Sequence, residues 1–477
     1  MPTRFPLSAK MYALVFAVMF LVGAAHAQYF ESRGNFPVGP PVDPVAVAVG
    51  DFNGDGKLDI AVTPDVSSTK ISVLLGNGDG TFQKGVNYTV ESQPEGITAG
   101  DLNGDHNLDL VVTNHFSKSI SVLLGNGDGT FQPARHIGLH GQPGQIALTD
   151  LNRDGNLDIV VVDQAVSTLL GNGEGTFDSL VDNHSFGGFV TALTVGDFNH
   201  DGSVDVAICG SSQVSDSAGI LLGNGDGTLQ SAVTYPVGLT PESVVTADFN
   251  QDGNLDLAVG AFIGSGVYIL IGNGDGTFRE GPAYVADFAT SLSAPDLNGD
   301  NIPDIVATTS YGILVGSVTV FLGKGDGTFQ RAGMYLVGKE PASSAVGDFN
   351  GDGQPDVVVA DSLLSSLFSL LNTGVLGFSP NTPLVFPPQK VGTVSNPQVL
   401  TLTNHGGGAL SIMSISNTGD FEWRTRSCGR KILSDESCQI DITFQPRRVG
   451  SQRAVLRINS SASSTMQVVV LSGQGTP

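Results

Sequence analysis

The feature of this sequence that most limits its possible folds is an acidic segment that occurs seven times. The pattern D-[FL]-N-x-D-x-x-x-D begins at Asp51, Asp101, Asp150, Asp197, Asp248, Asp296 and Asp348, at spacings of 47 to 52 residues. A second segment, LLGNGDGTF, begins at Leu74 and returns in similar form near Leu123, Leu169, Leu221, Leu270 and Leu322, with a divergent version, LLNTGVLGF, at Leu370. Self-similarity at a fixed period indicates one supersecondary unit repeated along the chain.

Each unit is expected to contain four short strands. In the first unit the segments VAVAVG, KLDIAVT, KISVLLG and TFQKGVNYTV are separated by Gly, Asn and Asp turns and show no helical period. Four antiparallel strands in each unit of roughly 50 residues predict a β-propeller with seven blades, and an open solenoid is the alternative. The segment YFESRGNFPVG near Gln28 resembles a fourth strand without the first three, so we expect it to pair with the last blade and close the ring.

The acidic segment has the composition of a calcium-binding loop. Calcium takes roughly six to eight oxygen ligands, which side chains at positions 1, 3, 5 and 9 and the backbone carbonyl at position 7 can supply. Every copy has Asp, Asn, Asp and Asp at the four side-chain positions. The predicted ligands, copy by copy, are Asp51, Asn53, Asp55, Lys57, Asp59; Asp101, Asn103, Asp105, Asn107, Asp109; Asp150, Asn152, Asp154, Asn156, Asp158; Asp197, Asn199, Asp201, Ser203, Asp205; Asp248, Asn250, Asp252, Asn254, Asp256; Asp296, Asn298, Asp300, Ile302, Asp304; and Asp348, Asn350, Asp352, Gln354, Asp356.

Position 6 tests the geometry of such a loop. A tight turn around an ion needs a residue that tolerates positive φ, and five copies have Gly there. The other two have His106 and Asn301, which are residue types that adopt positive φ more readily than most. We expect these two loops to bind calcium most weakly. Position 4 varies from Gly54 to Arg153, as a solvent-facing position can.

Other interpretations of the loop fit less well. An EF-hand would have Glu at position 12, where the first copy has Val62, and helices on both sides. Magnesium prefers to keep several waters in strict octahedral geometry. Asx turns that end strands without an ion remain an alternative. Since every assigned ligand is a protein oxygen and no base recurs nearby, we expect up to seven structural calcium ions and no catalytic metal. The acidic residue of the second segment varies, from Asp79 to Glu174, which favours a turn role over a second set of metal sites.

The repeated DFNGDGxxDLAV and LLGNGDGTF motifs resemble the FG-GAP and VCBS repeats of bacterial secreted proteins and the calcium-binding blades of integrin α-subunit propellers. The resemblance covers residues 28–378. It implies a seven-bladed propeller with calcium in the loops that join the first two strands of blades, and it points to the opposite face for ligand contact.

Charge and the first residues limit partners and location. The chain has 46 Asp or Glu against 22 Lys or Arg, so nucleic acid would be repelled. Residues 1–27 resemble a signal peptide, with basic residues before an apolar run that ends in Ala25-His26-Ala27. That run is too short to span a bilayer. We therefore expect export to the periplasm or the cell exterior, a mature chain from Gln28 with no membrane span, and a monomer.

Alternating strand direction places the acidic segments and the GNGDG turns on one face of the propeller. It places the loops between strands two and three on the opposite face. Those loops differ between copies, and variable loops on a rigid scaffold commonly bind partners. His115, Phe116, Phe262 and Tyr311 are candidate contacts, with ordinary loop packing as the alternative. We predict a non-enzymatic adhesion or ligand-binding protein whose partner is an extracellular protein or polysaccharide. A polysaccharide lyase or hydrolase is the alternative, although no recurrent His, Ser or carboxylate motif indicates one.

Residues 379–477 differ in composition from the repeats. Segments such as PQVLTLTNHG, CQIDITFQP and MQVVVLSGQG alternate apolar and polar residues and predict a β-sandwich of six or seven strands. The Phe-Pro opening, TLTNHG, the CG and C pair, TFQPRRVG and LSGQG resemble Hydin-type immunoglobulin-like and choice-of-anchor D modules, which implies a spacer or attachment role. We expect Cys428 and Cys438 to form a disulfide and Cys209, in the apolar run VDVAICG, to be buried.

Overall fold

The computed structural model describes residues 30–38, 44–64, 68–163, 165–178, 180–182, 188–212, 216–263, 266–286, 288–310, 316–372, 376–379, 384–404, 410–417, 419–433, 436–460 and 467–477. Within these ranges the chain forms 38 strands and no helix, which confirms the predicted all-β class. It follows that the described residues contain no helix able to cross a membrane. The predicted signal segment, residues 1–27, lies outside the described residues.

The chain forms two compact units, one over Tyr29–Gly374 and one over Val375–His405 and Ala409–Pro477. The first unit contains six antiparallel sheets of four consecutive strands, here called blades one to six. Their strands, numbered one to four in each blade, are Pro44–Gly50, Asp59–Pro64, Lys70–Leu74 and Val86–Thr89; Pro94–Gly100, Asp109–Asn114, Ser119–Leu123 and Arg135–Gly138; Ile146–Thr149, Asp158–Val162, Val166–Leu169 and Val181–Asp182; Gly188–Gly196, Asp205–Ser212, Asp216–Leu221 and Val233–Pro236; Leu239–Ala247, Asp256–Ile263, Gly266–Gly272 and Phe278–Val285; and Ala289–Ser293, Ile305–Ser310, Gly316–Gly323 and Phe329–Leu336. Each sequence repeat therefore supplies one blade.

Blade seven is completed by the first described strand of the chain. Its strand order is Phe30–Pro37, Ser366–Asn372, Asp356–Asp361 and Pro341–Gly347. The outermost pair is antiparallel, with Phe30 opposite Asn372. The predicted pairing of the first strand with the last blade is confirmed. This pairing joins the two ends of the repeat array, as a closed propeller requires and an open solenoid does not.

Burial within a blade decreases from the second strand to the fourth. Asp59–Pro64 is buried at every residue, whereas Val86–Thr89 is mostly exposed. Apolar side chains of adjacent blades share one core, in which Val73 of blade one and Leu110 of blade two are both buried. The second strands are therefore covered on both faces, which explains their continuous apolar sequences.

Aromatic pairs connect the acidic segment of one blade to the GNGDG turn of the next. The pairs are Phe52–Phe131, Phe198–Phe278, Phe249–Phe329 and Phe349–Phe82, with ring centroids 5.2 to 5.7 Å apart and ring planes at 70 to 72°. The last pair joins blade seven to blade one. Edge-to-face contacts of this kind contribute roughly 1 kcal/mol each beyond the area they bury.

The second unit consists of two sheets. One has the order Leu376–Ser379, Gln398–Asn404, Ser437–Phe444 and Phe421–Thr425. The other has the order Leu384–Val385, Gln467–Thr476, Gly450–Ser460, Leu410–Asn417 and Lys431–Ile432, with Gln389–Lys390 also paired to Gln467–Thr476. The prediction of six or seven strands is too low, because strands of two residues carry no alternating pattern.

The core of the second unit centres on phenylalanine rings. Phe421 and Phe444 are stacked with centroids 4.7 Å apart, and both are buried. Cys428 and Cys438 form a disulfide with Cα atoms 4.6 Å apart. The unit also takes Leu376–Ser379, the end of the divergent LLNTGVLGF segment, into its first sheet. The boundary predicted after residue 378 therefore falls inside a strand, and the structure divides the chain a few residues earlier.

Candidate metal centre

The seven acidic segments, here called the acidic loops, connect the first and second strands of the seven blades. In the first loop, Asp51 accepts the N–H of Asp55 through Oδ1 at 3.1 Å and the N–H of Gly56 through Oδ2 at 2.8 Å. Asn53 Oδ1 also accepts the N–H of Asp55, at 2.9 Å, and Asp55 Oδ1 accepts that of Lys57 at 3.0 Å. These bonds turn the oxygens at positions 1, 3 and 5 towards the inside of the loop.

The same wrapping occurs in all seven loops. Oδ2 of the position 1 aspartate accepts the position 6 N–H at 2.8 to 2.9 Å, from Gly56, His106, Gly155, Gly202, Gly253, Asn301 and Gly353. All seven donors have positive φ, including His106 at +66° and Asn301 at +63°. The predicted backbone requirement at position 6 is confirmed.

Position 9 has a structural role that the sequence does not reveal. Asp59 is fully buried, and it accepts the N–H of Phe52 through Oδ2 at 2.9 Å and that of Gly76 through Oδ1 at 2.7 Å. An equivalent pair of hydrogen bonds occurs in each of the remaining six blades. One carboxylate thus joins the acidic loop to the start of the GNGDG turn. It accepts hydrogen bonds from two buried N–H groups, which would be costly to leave without an acceptor.

Burial raises the pKa of all seven position 9 carboxyls. The pKa is raised to about 6 for Asp205 and Asp256 and to about 7 for Asp304 and Asp356. The two backbone N–H bonds oppose this rise, while the negative charges at positions 1 and 5 of the same loop add to it. Those charges repel the buried carboxylate, and a cation near it would relieve the repulsion.

The fourth loop contains a buried oxygen without a partner. Oδ1 of Asp197 is buried and accepts no hydrogen bond from the described part of the protein. In the other six loops the equivalent Oδ1 accepts the position 5 N–H at 3.1 to 3.2 Å. An unpaired buried carboxylate oxygen is costly unless a cation faces it, so this donor set fits calcium. Among the described residues no three His, Cys, Asp or Glu side chains are grouped as ready ligands, so Asn at position 3 and the position 7 carbonyl are needed for a shell.

Position 4 is exposed in all seven loops, as predicted, and in three of them its side chain also contacts the next blade. Arg153, His200 and Gln251 each contact the acidic loop of the next blade, and we call them the loop bridges. Arg153 Nη2 donates to the carbonyl of Asp201 at 2.9 Å and to Ser203 Oγ at 2.6 Å, His200 Nε2 lies 2.9 Å from Asn254 Oδ1, and Gln251 Nε2 donates to the carbonyl of Asn301 at 3.3 Å. A side chain that varies between copies therefore couples neighbouring loops from blade three to blade six.

The GNGDG turns serve their own backbone and the neighbouring blade. Asp79 Oδ1 accepts the N–H of Thr81 at 3.0 Å, and its bond from the Thr81 hydroxyl lowers the pKa of the Asp79 carboxyl. Gly80 donates its N–H to the carbonyl of Phe349 in blade seven at 2.9 Å. Its φ is +80°, and a Cβ there would lie 2.6 Å from a methyl carbon of Leu371, so the position requires glycine. The predicted turn role accounts for these contacts.

The candidate partner contacts on the face opposite the acidic loops differ in exposure. His115 Nδ1 lies 2.9 Å from Glu95 Oε2, and its ring contacts Phe116, which is 61% exposed. Phe262 packs edge-on against a neighbouring phenylalanine, with ring centroids 5.0 Å apart. Tyr311 lies outside the described residues. Of the described candidates, Phe116 is the one most available to a partner.

Four stretches of the chain match the model of the FG-GAP-like repeat: residues 51–112, 101–161, 150–208 and 296–359. Each stretch begins at the first aspartate of an acidic loop and ends in the second strand of the next blade. The chain therefore contains FG-GAP-like repeats folded as propeller blades. A comparison with curated proteins found no match.

Two solved structures illustrate what the chain is similar to. The ASH/PapD-like domain of human CEP192 (PapD-like domain 7) is 18% identical, with 22% of this chain and 87% of that chain covered and a TM-score of 0.19. A functionally unknown protein from Desulfotomaculum acetoxidans DSM 771 is 12% identical, with 62% of this chain and 88% of that chain covered and a TM-score of 0.46.

Proposed function

We propose that this protein is an exported, calcium-stabilised β-propeller that binds an extracellular protein or polysaccharide without chemically altering it. The observation that carries the proposal is the difference between the two faces of the propeller. One face has seven acidic loops of nearly the same sequence, and the other has loops that differ between blades. Repetition suits a structural ion, and variation on a rigid scaffold suits recognition.

In each acidic loop the side-chain oxygens of positions 1, 3, 5 and 9 and the position 7 carbonyl would hold one calcium ion. In the first loop these belong to Asp51, Asn53, Asp55, Asp59 and Lys57. A carboxylate oxygen has more than one lone pair, so Asp59 can accept a backbone N–H and still face a cation. Bound calcium supplies positive charge among carboxylates that otherwise repel one another. The residues of the chain orient those oxygens through the N–H bonds within each loop.

Exposed apolar side chains support ligand binding at the face opposite the acidic loops. Large hydrophobic residues lie there at the starts of two first strands, at the end of one second strand and in two connections between second and third strands. They are Phe189, Leu239, Ile263, Phe116 and Leu363, which are 45 to 84% exposed. Exposed apolar groups on variable loops of a rigid scaffold are candidate contacts for a partner. Aromatic residues among them are candidates for the strongest contacts.

The second unit is part of the proposal as a spacer or attachment module. Its two sheets enclose an apolar core of their own, and its disulfide Cys428–Cys438 suits an oxidising compartment. The disulfide therefore also supports export.

A panel of immobilised extracellular proteins and polysaccharides tests the proposal. The purified protein should be retained by a member of the panel and should release no soluble product from it. The double substitution Phe116→Ser with Phe189→Ser should weaken retention by about 10-fold. The matched control, Val86→Ser with Val233→Ser, changes exposed residues of the outer fourth strands and should leave retention unchanged. Soluble products would show that the protein is an enzyme. Equal losses of retention in the two double variants would show that the binding site does not lie on this face.

A further inference from the structure

The charge of the chain is divided unevenly between its two units. Residues 29–374 contain 41 Asp or Glu and 11 Lys or Arg, a formal charge of −30, whereas residues 375–477 contain 5 and 9, a formal charge of +4. An anionic ligand that the propeller repels can therefore still be attracted to the second unit. Three of its basic side chains, Arg447, Arg448 and Arg453, line one cavity of about 200 Å³.

The turn that carries Arg447 and Arg448 is held from two sides. Asp420, whose side chain is 14% exposed, accepts the N–H of Arg447 through Oδ2 at 2.8 Å. Gln452, which is 7% exposed, donates from Nε2 to the carbonyl of Arg448 at 2.8 Å. Since these buried and half-buried side chains fix the backbone, less conformational freedom is lost when a ligand binds there.

The arginines outnumber the carboxylates in this cavity. Asp420 Oδ1 lies 3.6 Å from Nε of Arg447 and pairs with that arginine. Arg448 and Arg453 are exposed, and neither belongs to the ion pairs found among the described residues. Two guanidinium groups are therefore available to a ligand, each with N–H groups in a fork that matches two oxygens of one anionic group.

We propose that this cavity binds one oxyanion group, a carboxylate or a sulfate ester, of an acidic saccharide. The remaining lining residues are Gly419, Asp420, Ser451 and Gln452, so no apolar side chain takes part. A wholly polar lining favours a polyhydroxylated ligand over an acidic peptide, whose recognition usually includes apolar anchors. The cavity belongs to the second unit, whereas the acidic loops and the loops proposed above to bind a partner belong to the first.

Titration of the full-length protein with glucuronate, glucose 6-sulfate and neutral glucose at constant ionic strength tests this proposal. At least one acidic probe should bind with a Kd on the order of 1 mM, and glucose about 10-fold more weakly or worse. The tighter acidic probe identifies the group, and either result supports the site. Replacing both exposed arginines, Arg448→Ala with Arg453→Ala, should weaken binding by about 10-fold.

Two further variants separate a specific site from general charge. Arg424→Ala removes an exposed arginine outside the cavity and should change the Kd by less than about twofold. Arg448→Lys with Arg453→Lys keeps the charge and the fold but removes the fork, and should weaken binding by about threefold or more. The proposal is overturned if neither acidic probe binds more tightly than glucose, if Arg424→Ala matches the double alanine variant, if the lysine variant binds normally, or if a glutamate peptide binds more tightly than both acidic saccharides.

Discussion

The propeller and the second unit hold their strands together by different means. In the propeller one buried carboxylate per blade, such as Asp59, joins the acidic loop to the GNGDG turn, and calcium is proposed beside it. In the second unit the strands enclose stacked phenylalanine rings and one disulfide, Cys428–Cys438. Stability is therefore distributed over repeated carboxylate-centred links in the propeller, whereas in the second unit it depends on one core and one disulfide.

Removal of calcium should separate the two units most clearly. At a Kd of ~10⁻⁴ M, millimolar calcium stabilises the folded state by about 1.4 kcal/mol per site, or about 10 kcal/mol for seven independent sites. Calorimetry in EDTA should therefore show a propeller transition at a much lower temperature and an unchanged transition for the second unit. Metal analysis of the untreated protein provides the control. An unchanged transition temperature of the propeller in EDTA, together with no calcium bound to the untreated protein, would contradict the calcium proposal.

The calcium-free propeller should also lose stability as the pH rises. In the propeller, Asp205 and Asp256 have pKa values of about 6, and Asp304 and Asp356 of about 7, above the ordinary value of 3.8. Their protonated forms favour folding, so that contribution is complete below pH 3.8 and is lost as the pH rises through 6 and 7. In EDTA the melting temperature of the propeller should fall between about pH 4.5 and 8. A propeller that becomes more stable over that range contradicts this expectation.

The architecture of the propeller could be predicted because each repeat carries its own local signals. Turn residues mark the strand ends, and position 6 keeps Gly or a residue that tolerates positive φ, as His106 and Asn301 do. The second unit gave weaker signals, since Lys431–Ile432 and Gln389–Lys390 are too short for alternation. Local patterns therefore predicted the blades better than the sandwich.

A substitution pair can separate the two roles of aspartate within one acidic loop. Asp256→Asn replaces one of two carboxylate acceptors, for the N–H groups of Phe249 and Gly272, by a donor in a fully buried place. It should reduce the free energy of unfolding by about 3 kcal/mol, even in EDTA. The control Asp252→Asn, at the exposed position 5 of the same loop, should cost less than about 1 kcal/mol in EDTA. Equal effects in chemical denaturation would contradict a separate role for position 9.

Loss of the disulfide should affect the second unit alone. The bridge closes a loop across ten residues of sequence, and its removal should cost about 2 to 3 kcal/mol. Calorimetry of Cys428→Ser with Cys438→Ser should show a lower transition for the second unit and an unchanged propeller. Cys209→Ala is the matched control, because this buried thiol in blade four, with its pKa raised by burial to about 12, forms no bridge. A shift of the propeller transition in the double variant would contradict the division into independent units.

The composition of the acidic loops was evident in the sequence, but the contacts between blades were not. Position 9 looks like a further ligand in the sequence, because the bonds of Asp59 to Phe52 and Gly76 join residues 7 and 17 positions away. Position 4 looks unconstrained, because Arg153, His200 and Gln251 share no chemistry that a repeat pattern could reveal. Side chains that act across blades differ from copy to copy, so the repeat pattern does not reveal them.

The smallest predicted effect concerns these loop bridges and the coupling of one blade to the next. Arg153→Ala removes the bonds to the Asp201 carbonyl and Ser203 Oγ, and it should destabilise the propeller by about 1 kcal/mol. Amide hydrogen exchange should accelerate in residues 197–205, the fourth acidic loop, and stay unchanged in residues 51–59, which no side chain at position 4 of the preceding copy, Gly351, can reach. Arg135→Ala, an exposed arginine on an outer strand, is the control. Exchange that rises equally in both loops would show general loosening rather than a bridge between blades three and four.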